Sequence, residues 1–395
     1  MEDRLNRIAC LLDENSSYWR FPPFAQLDYP WRAAEPELCE FLEGLTSEQI
    51  RSYQQTPSSF SKDAAKWIPV GPELVELSHQ PPLTREANAL PEHLFTSVPG
   101  RKVEQIRAFC RSIPNSGLPF LEWCSGKGHL SRALVTSHGG EATCLEIQER
   151  LCDLGRAAAR GGGYPLTFVH GDAKTAEAAS EIRADRHAVA LHACGDLHTT
   201  LLKEAIARGA PAITISPCCY HLTWANPYVP FSKAGEASGL QIERSHLRMV
   251  VQETVVAGAG ARRKRHQEVS YRLGFDSLQR QFRGIDEYLN VPSIQKLLLR
   301  EGMEGFSRWA AGQNEFELPE GIDFNHWEQI GKQRFETIDR MELIRGIFRR
   351  PLEIWLVLDR ACLLEEAGYQ VKVGIFCERE TTPRNLIIHG EKPTP

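Results

Sequence analysis

Pro119-Phe120-Leu121-Glu122-Trp123-Cys124-Ser125-Gly126-Lys127-Gly128-His129-Leu130-Ser131 is the stretch around which the chain is organised. A short apolar run ends in an acid, passes through a Gly-rich turn and enters a helix with Leu130, Leu134 and Val135 on one face. Gly126 and Gly128 let the backbone turn sharply and let a ligand approach with no Cβ in the way. The helix N-terminus behind them offers unpaired N–H groups and a positive dipole end. Strand, glycine turn and helix in that order bind nucleotides, and they also make plain αβ connections. The residues downstream decide between the two.

From about residue 96 onward, strand and helix patterns alternate. A helix over 103–113 is closed by Pro114, and strands are expected at 119–123, 141–147, 166–170, 188–193 and 212–216. Between the last two strands Asp196 reads as an N-cap. Leu197, Leu201, Leu202, Ala205 and Ile206 form the buried stripe there, and Gly209 ends the helix. Such alternation means a parallel sheet with helices on both faces. The rhythm resumes late in the chain: Ile354, Val357, Leu358 and Ala361 make a helix ending near Gly368, followed by strands at 371–376 and 386–389 around Pro383. Two strands joined that closely must be antiparallel, so a seven-stranded sheet is expected.

The flanks differ. Residues 1–95 are broken by Pro22-Pro23, Pro30, Pro36, Pro57, Pro69, Pro72 and Pro81-Pro82, with short helical patterns at 37–42 and at 47–53, the second capped by Thr46 or Ser47. Trp19, Trp31 and Trp67 imply that this segment packs on something. Residues 250–257 read equally as a strand or a buried helix turn. Residues 285–348 read as several helices, preceded by the one dense basic run, Arg262, Arg263, Lys264 and Arg265. The expected division is a helical N-terminal appendage over 1–95, a nucleotide-binding core over 96–255, a helical insertion with the basic run over 256–350, and the closing helix and strand pair over 351–395.

Bulk properties narrow the class. The chain has 395 residues, 42% hydrophobic and 25% charged, as in an ordinary globular protein. A net charge of −5 excludes a uniformly basic surface, so a nucleic-acid partner would need a local patch. No apolar run reaches membrane-span length, and acids at Glu2 and Asp3 do not suit a signal peptide. Eleven cysteines in no disulfide-like spacing fit a reducing compartment, so a cytoplasmic location is expected. Oligomeric state is not legible.

Three acids fall at strand ends. Glu122 ends the first strand, and Glu146, eighteen positions past Gly128, ends the second, where a ribose diol is hydrogen-bonded in nucleotide-binding units. Asp172 and Ala173 follow the third, within reach of an adenine amine. Each acid alone is more often a solvated loop carboxylate, but three in register at the carboxyl edge favour a nucleotide site. The fourth and fifth strands end in His192-Ala193-Cys194-Gly195-Asp196 and Ser216-Pro217-Cys218-Cys219-Tyr220-His221, side by side at the same edge. Cys194 and Cys218 are there either as small buried residues or as reactive thiols. Cys194, Cys218, Cys219 and His221 have the composition of a zinc site, but adjacent cysteines chelate one ion badly and no Cys-x-x-Cys pair is present, so no metal is expected.

Glu122 through Ser131, Leu191-His192-Ala193-Cys194-Gly195-Asp196-Leu197 and Ser216 through His221 together resemble class I S-adenosylmethionine (SAM)-dependent methyltransferases of the methyltransferase-like 25 type, also called ribosomal RNA adenine dimethylase domain-containing proteins. Leu358-Asp359-Arg360, Glu365-Glu366-Ala367-Gly368 and Thr382-Pro383-Arg384-Asn385 resemble that family's closing elements, and the two inner motifs also resemble tRNA acceptor-stem 2′-O-methyltransferases. The likeness covers about 100–225 and 350–390. One departure is Cys124, which stands where such turns usually have their first glycine. The resemblance implies an α/β, Rossmann-like seven-stranded class I methyltransferase sheet that uses SAM. Its cofactor site would comprise Glu122, Cys124, Gly126, Gly128, Leu130, Glu146, Asp172, Ala173 and His192, and its catalytic group His192, Cys194, Cys218, Tyr220 and His221. RNA, either tRNA or rRNA, methylated on oxygen or nitrogen, is the expected substrate, with the basic run as its contact. The alternatives are a protein or small-molecule methyltransferase, a cytosine C5 enzyme using Cys218 or Cys194 as nucleophile, and a non-catalytic scaffold, against which three cofactor acids argue.

Overall fold

The strands form where apolar and β-branched residues run unbroken, as a sheet buried on both faces requires. In the computed structural model, which describes residues 1–85, 89–96, 98–252, 259–294 and 298–393, these are β1 (Phe120–Trp123), β2 (Ala142–Glu146), β3 (Leu166–His170), β4 (His187–Cys194), β5 (Ala212–Cys218), β6 (Gln370–Ile375) and β7 (Leu386–Glu391). Their order is β3-β2-β1-β4-β5-β7-β6, with β7 antiparallel to both β5 and β6 and the other pairs parallel. This is the expected Rossmann-like class I sheet, closed by its antiparallel pair. The carboxyl ends of β1 and β4 are central, where a parallel sheet offers its ligand crevice.

Helices His129–His138, Glu149–Gly162, Ala176–Ala179 and Asp196–Ala207 connect successive parallel strands, and Gly100–Ser112 precedes β1. Asp196 is the first helical residue rather than the cap: Gly195 takes the cap position at φ 58°, and the Asp196 carboxylate instead accepts the Trp224 N–H at 2.6 Å. A left-handed backbone and the close approach of Leu222 leave no room for a Cβ at Gly195, which moves the helix start by one residue. Residues 250–257 are a helical end in part, since the helix Arg244–Val251 reaches into them; residues 253–258 lie outside the described residues.

Contacts divide the chain into two units, not at residues 95 and 350. One comprises Met1–Glu14, Glu76–Val256 and Arg349–Pro395, and the other Asn15–Val75 and Ala257–Phe348. The expected appendage is therefore split. Its first helix, Glu2–Glu14, clusters with the sheet, where Arg4 donates to the carbonyls of Leu77 and His79, while 15–75 cluster with the insertion. The closing helix is not separate from the insertion either: one helix, Phe324–Glu366, runs through both, with Pro351 inside it near the unit boundary.

In the second unit, helix Ala259–Arg283 crosses Phe324–Glu366 at Gly274 and Gly331. A Cβ on Gly331 would lie 2.1 Å from the Ser270 carbonyl. Buried Asp276 holds Arg280 and Arg334 there, at 3.0 and 2.8 Å. Among the described residues, no helix is long and apolar enough to cross a membrane.

Candidate functional site

A cleft of about 200 Å³ opens over the ends of β1 and β4. Lys102 and Ile106 line one wall; Glu122, Cys124, Ser125 and Gly126 form the floor; His129, Leu130, Leu191 and His192 complete it. Glu122 is buried, and its Oε2 accepts both the backbone N–H (2.9 Å) and the hydroxyl (2.5 Å) of Ser131. Burial pushes its pKa up to about 7, against the opposing effect of the Ser131 hydrogen bonds and of the Lys102 and Arg132 charges.

Cys124 adopts φ 59°, so the turn keeps its left-handed form without a glycine there. Four non-glycine residues have positive φ among those described, and Cys124, His192 and Cys219 all stand at this sheet edge. Each costs on the order of 1 kcal/mol and is held by the surrounding structure, a pattern that collects at functional sites.

The strand-end acids are not grouped around one cavity. Glu146 lies outside the enclosed cleft and tethers the turn, its Oε2 accepting the Gly126 N–H at 2.8 Å and its Oε1 the Gln148 N–H at 2.9 Å. Asp172 is half-buried beyond it, accepting the Lys174 N–H at 3.0 Å, and Ala173 is buried. Gly128 is needed for packing: a Cβ there, at φ 68°, would meet the Phe168 ring at 2.7 Å and Cys144 Sγ at 3.3 Å. Gly126, at φ 59°, has open space where its Cβ would be.

At the end of β4, a register shift between Leu191 and Cys194 and the left-handed His192 turn that imidazole into the cleft wall. His192 Nε2 lies 2.6 Å from Gln105 Oε1, and the same amide donates through Nε2 to the Thr381 carbonyl at 3.4 Å. With the amide so oriented, His192 Nε2 carries the proton and Nδ1 the lone pair. The ring keeps an exposed face, while the protein packed around it and then the charges of Lys102 and Arg384 lower its pKa.

Cys194, Cys218 and Cys219 converge, their Sγ atoms all within 4.8 Å of one another, and Cys194 Sγ lies 3.7 Å from Cys218 Sγ. Sequence adjacency argued against this for Cys218 and Cys219. The left-handed Cys219, at φ 50°, breaks the alternation that would send their side chains to opposite faces. Tyr220 does not reach the cleft: it is 1% exposed, its hydroxyl 3.5 Å from Glu353 Oε1 and its ring under the Arg360 guanidinium. His221 is half-buried, with Nδ1 unpartnered.

Sequence reasoning missed the groups that hold these loops. Arg360 Nε donates to His198 Nε2 at 2.8 Å, and His198 Nδ1 lies 3.1 Å from the Ala193 carbonyl just before the thiols. Neighbouring Asp359 accepts from the Tyr228 hydroxyl (2.6 Å), the Ser232 hydroxyl (2.8 Å) and the Phe231 and Ser232 N–H groups. Leu358-Asp359-Arg360 marks the place in the sequence, but an acid and a base on a helix do not reveal which loop they bind. Gln105 gave no signal.

Residues 101–225 match the family model described as a methyltransferase domain. No curated protein matches the chain. Among solved structures, coclaurine N-methyltransferase bound to N-methylheliamine and S-adenosylhomocysteine is 12% identical over 79% of this chain and 94% of its own, with a TM-score of 0.26. The matched segment contains β1 to β5, the glycine turn and the converging thiols. The chain thus carries a methyltransferase domain on a class I sheet, and its cofactor is SAM.

Proposed function

We propose that the protein methylates RNA, tRNA or rRNA, on an oxygen or nitrogen, with His192 as the proton acceptor. The observation that carries this reading is the Gln105–His192 pair, which leaves Nδ1 as the basic nitrogen of a side chain that lines the cleft. The cleft residues fit SAM. A buried carboxyl, Glu122, suits the amino group of its methionyl half, and Gly126 leaves open the space that a Cβ would take. Glu146 and Asp172 lie further along the edge, toward β2 and β3, on the side that the ribose and adenine would occupy. When bound, SAM supplies an electrophilic methyl group on a sulfonium. The protein has to orient the acceptor lone pair toward that methyl and take the acceptor's proton at His192 Nδ1. His221 serves to position the acceptor loop, and Tyr220 to support it from the core.

RNA is favoured by the resemblance of the inner motifs to the methyltransferase-like 25 type and to tRNA acceptor-stem 2′-O-methyltransferases, and by exposed Arg263, Lys264 and Arg265. The side chain of Arg262 lies outside the described residues. The cytosine C5 alternative is disfavoured for Cys218, which is 5% exposed and turned toward the half-buried Cys194. Eleven free cysteines support a cytoplasmic location.

Mass spectrometry of nucleosides from cells with and without the gene should show one methylated nucleoside lost. The purified protein should restore it in vitro, and His192→Ala should do so about a hundredfold more slowly. Unchanged RNA nucleosides, with methyl transfer to a protein or metabolite extract, would overturn the RNA assignment.

A further inference from the structure

We propose that Cys194, Cys218 and Cys219 bind one thiophilic divalent ion of the zinc class at the carboxyl edge of the sheet, beside the cofactor cleft. Two of the ligands come from paired positions of neighbouring strands, Cys194 on β4 and Cys218 on β5, and the third from the left-handed residue that follows β5. A tetrahedral ion with sulfur ligands at about 2.3 Å sets sulfur–sulfur distances of about 3.8 Å. The observed 3.7 Å between Cys194 and Cys218 has that spacing, and the third sulfur lies within 4.8 Å of both. A disulfide would engage two of the thiols and leave the third without a reason to converge; all eleven cysteines are free.

On binding, the three thiols release their protons to solvent and each thiolate donates a lone pair, so the ion and its ligands carry one net negative charge. Three protein ligands leave a fourth position for water or for a polar atom of the acceptor, as in zinc sites that act chemically. His221, two residues beyond Cys219, has its buried Nδ1 unpartnered. The inference stands apart from the reading of the cleft, because no cofactor contact enters it.

The test is the metal content of the full-length protein, purified under reducing conditions from zinc-supplemented cells. Atomic emission should find about one zinc per chain in the wild type and in Cys362→Ala, and less than a tenth of that in Cys219→Ala. Cobalt(II) added to the stripped protein should give thiolate charge-transfer bands in the wild type and none in Cys219→Ala. Calorimetric binding of S-adenosylhomocysteine should persist in Cys219→Ala, which shows that the variant is folded. A wild-type protein with less than a tenth of an equivalent of zinc and no cobalt bands would overturn the proposal. So would a Cys194–Cys218 disulfide in metal-free protein isolated without reductant. Zinc present but no binding of S-adenosylhomocysteine would instead count against the methyltransferase reading alone.

Discussion

Glu122 sits nearly enclosed at the end of β1, with its pKa raised to about 7 by burial. A cationic amino group brought beside it favours the ionised form. Affinity for SAM should therefore rise as pH increases through about 7, with proton release below that point. Calorimetry in buffers of different ionisation enthalpy will detect this, and Glu122→Gln should bind more weakly and lose the pH dependence. Stability against pH involves further residues besides Glu122. His187 is fully buried, its Nε2 2.8 Å from Thr214 Oγ1, which in turn lies 2.8 Å from His389 Nδ1. Burial, then His389 and His138, lower the His187 pKa to about 3; burial lowers His389 to about 4, against the pull of Glu391. His129 and His198 are lowered as well, both chiefly by burial. The unfolded chain, with histidines near 6.5, takes up protons first, so this stability is complete above about 6.5 and is lost toward pH 3. Glu122 and Asp339, raised by burial to about 7 and about 6, act oppositely, losing stability as pH rises from about 4 toward those values. The histidines outnumber them. The urea midpoint should therefore fall from pH 7 to pH 5, and His187→Gln should flatten that fall.

At the scale of the element, the turn between β1 and the helix His129–His138 separates two roles that one Gly-Lys-Gly motif hides. Gly128→Ala drives a methyl into Phe168 at φ 68° and should cost about 1–3 kcal/mol of folding stability, read as a lower urea midpoint. Gly126→Ala meets nothing within 4 Å, so it carries only the left-handed penalty of about 1 kcal/mol. Its methyl projects beside the cleft, and calorimetry should show S-adenosylhomocysteine binding at least tenfold weaker with the fold intact. Equal binding by Gly126→Ala and wild type would remove Gly126 from the cofactor site. The long helix Phe324–Glu366 shows a complementary division. Its Asp359 and Arg360 hold the loop after β5 and the His198 ring, while Arg334 on the same helix belongs to the other unit and pairs with Asp276.

For the molecule as a whole, the unit built from Asn15–Val75 and Ala257–Phe348 carries Arg263, Lys264 and Arg265 on the first turns of helix Ala259–Arg283. All three are exposed. If they neutralise RNA phosphates, changing all three to Glu should weaken binding of substrate RNA. It should also reduce the dependence of log affinity on log salt by roughly 2 units, since each phosphate contact contributes about 0.7–0.9. S-adenosylhomocysteine binding should not change, because the cleft belongs to the other unit. Filter binding across a salt series measures the first effect and calorimetry the second. An unaltered salt slope would remove the basic run from the RNA contact.

What was legible in the sequence is what short-range patterning specifies. Strand β3 lies at 166–170 as expected, and the other strands begin or end within two residues of their expected bounds. Apolar runs and the glycine turn are local, and a buried sheet admits only such runs. The thiols, His192 and the acid of β1 could likewise be assigned to one edge, because strand direction alone brings them there. What only the tertiary structure decided depends on partners far apart in the chain. Arg360 meets His198 across 162 positions, and Gln105 meets His192 across 87. Single left-handed residues, Cys124, His192 and Cys219, redirect side chains in ways that strand alternation does not foretell. Tyr220 turns into the core and Glu146 to the Gly126 N–H for the same reason: a buried polar group takes whichever partner the fold places within reach, and sequence spacing does not carry that information.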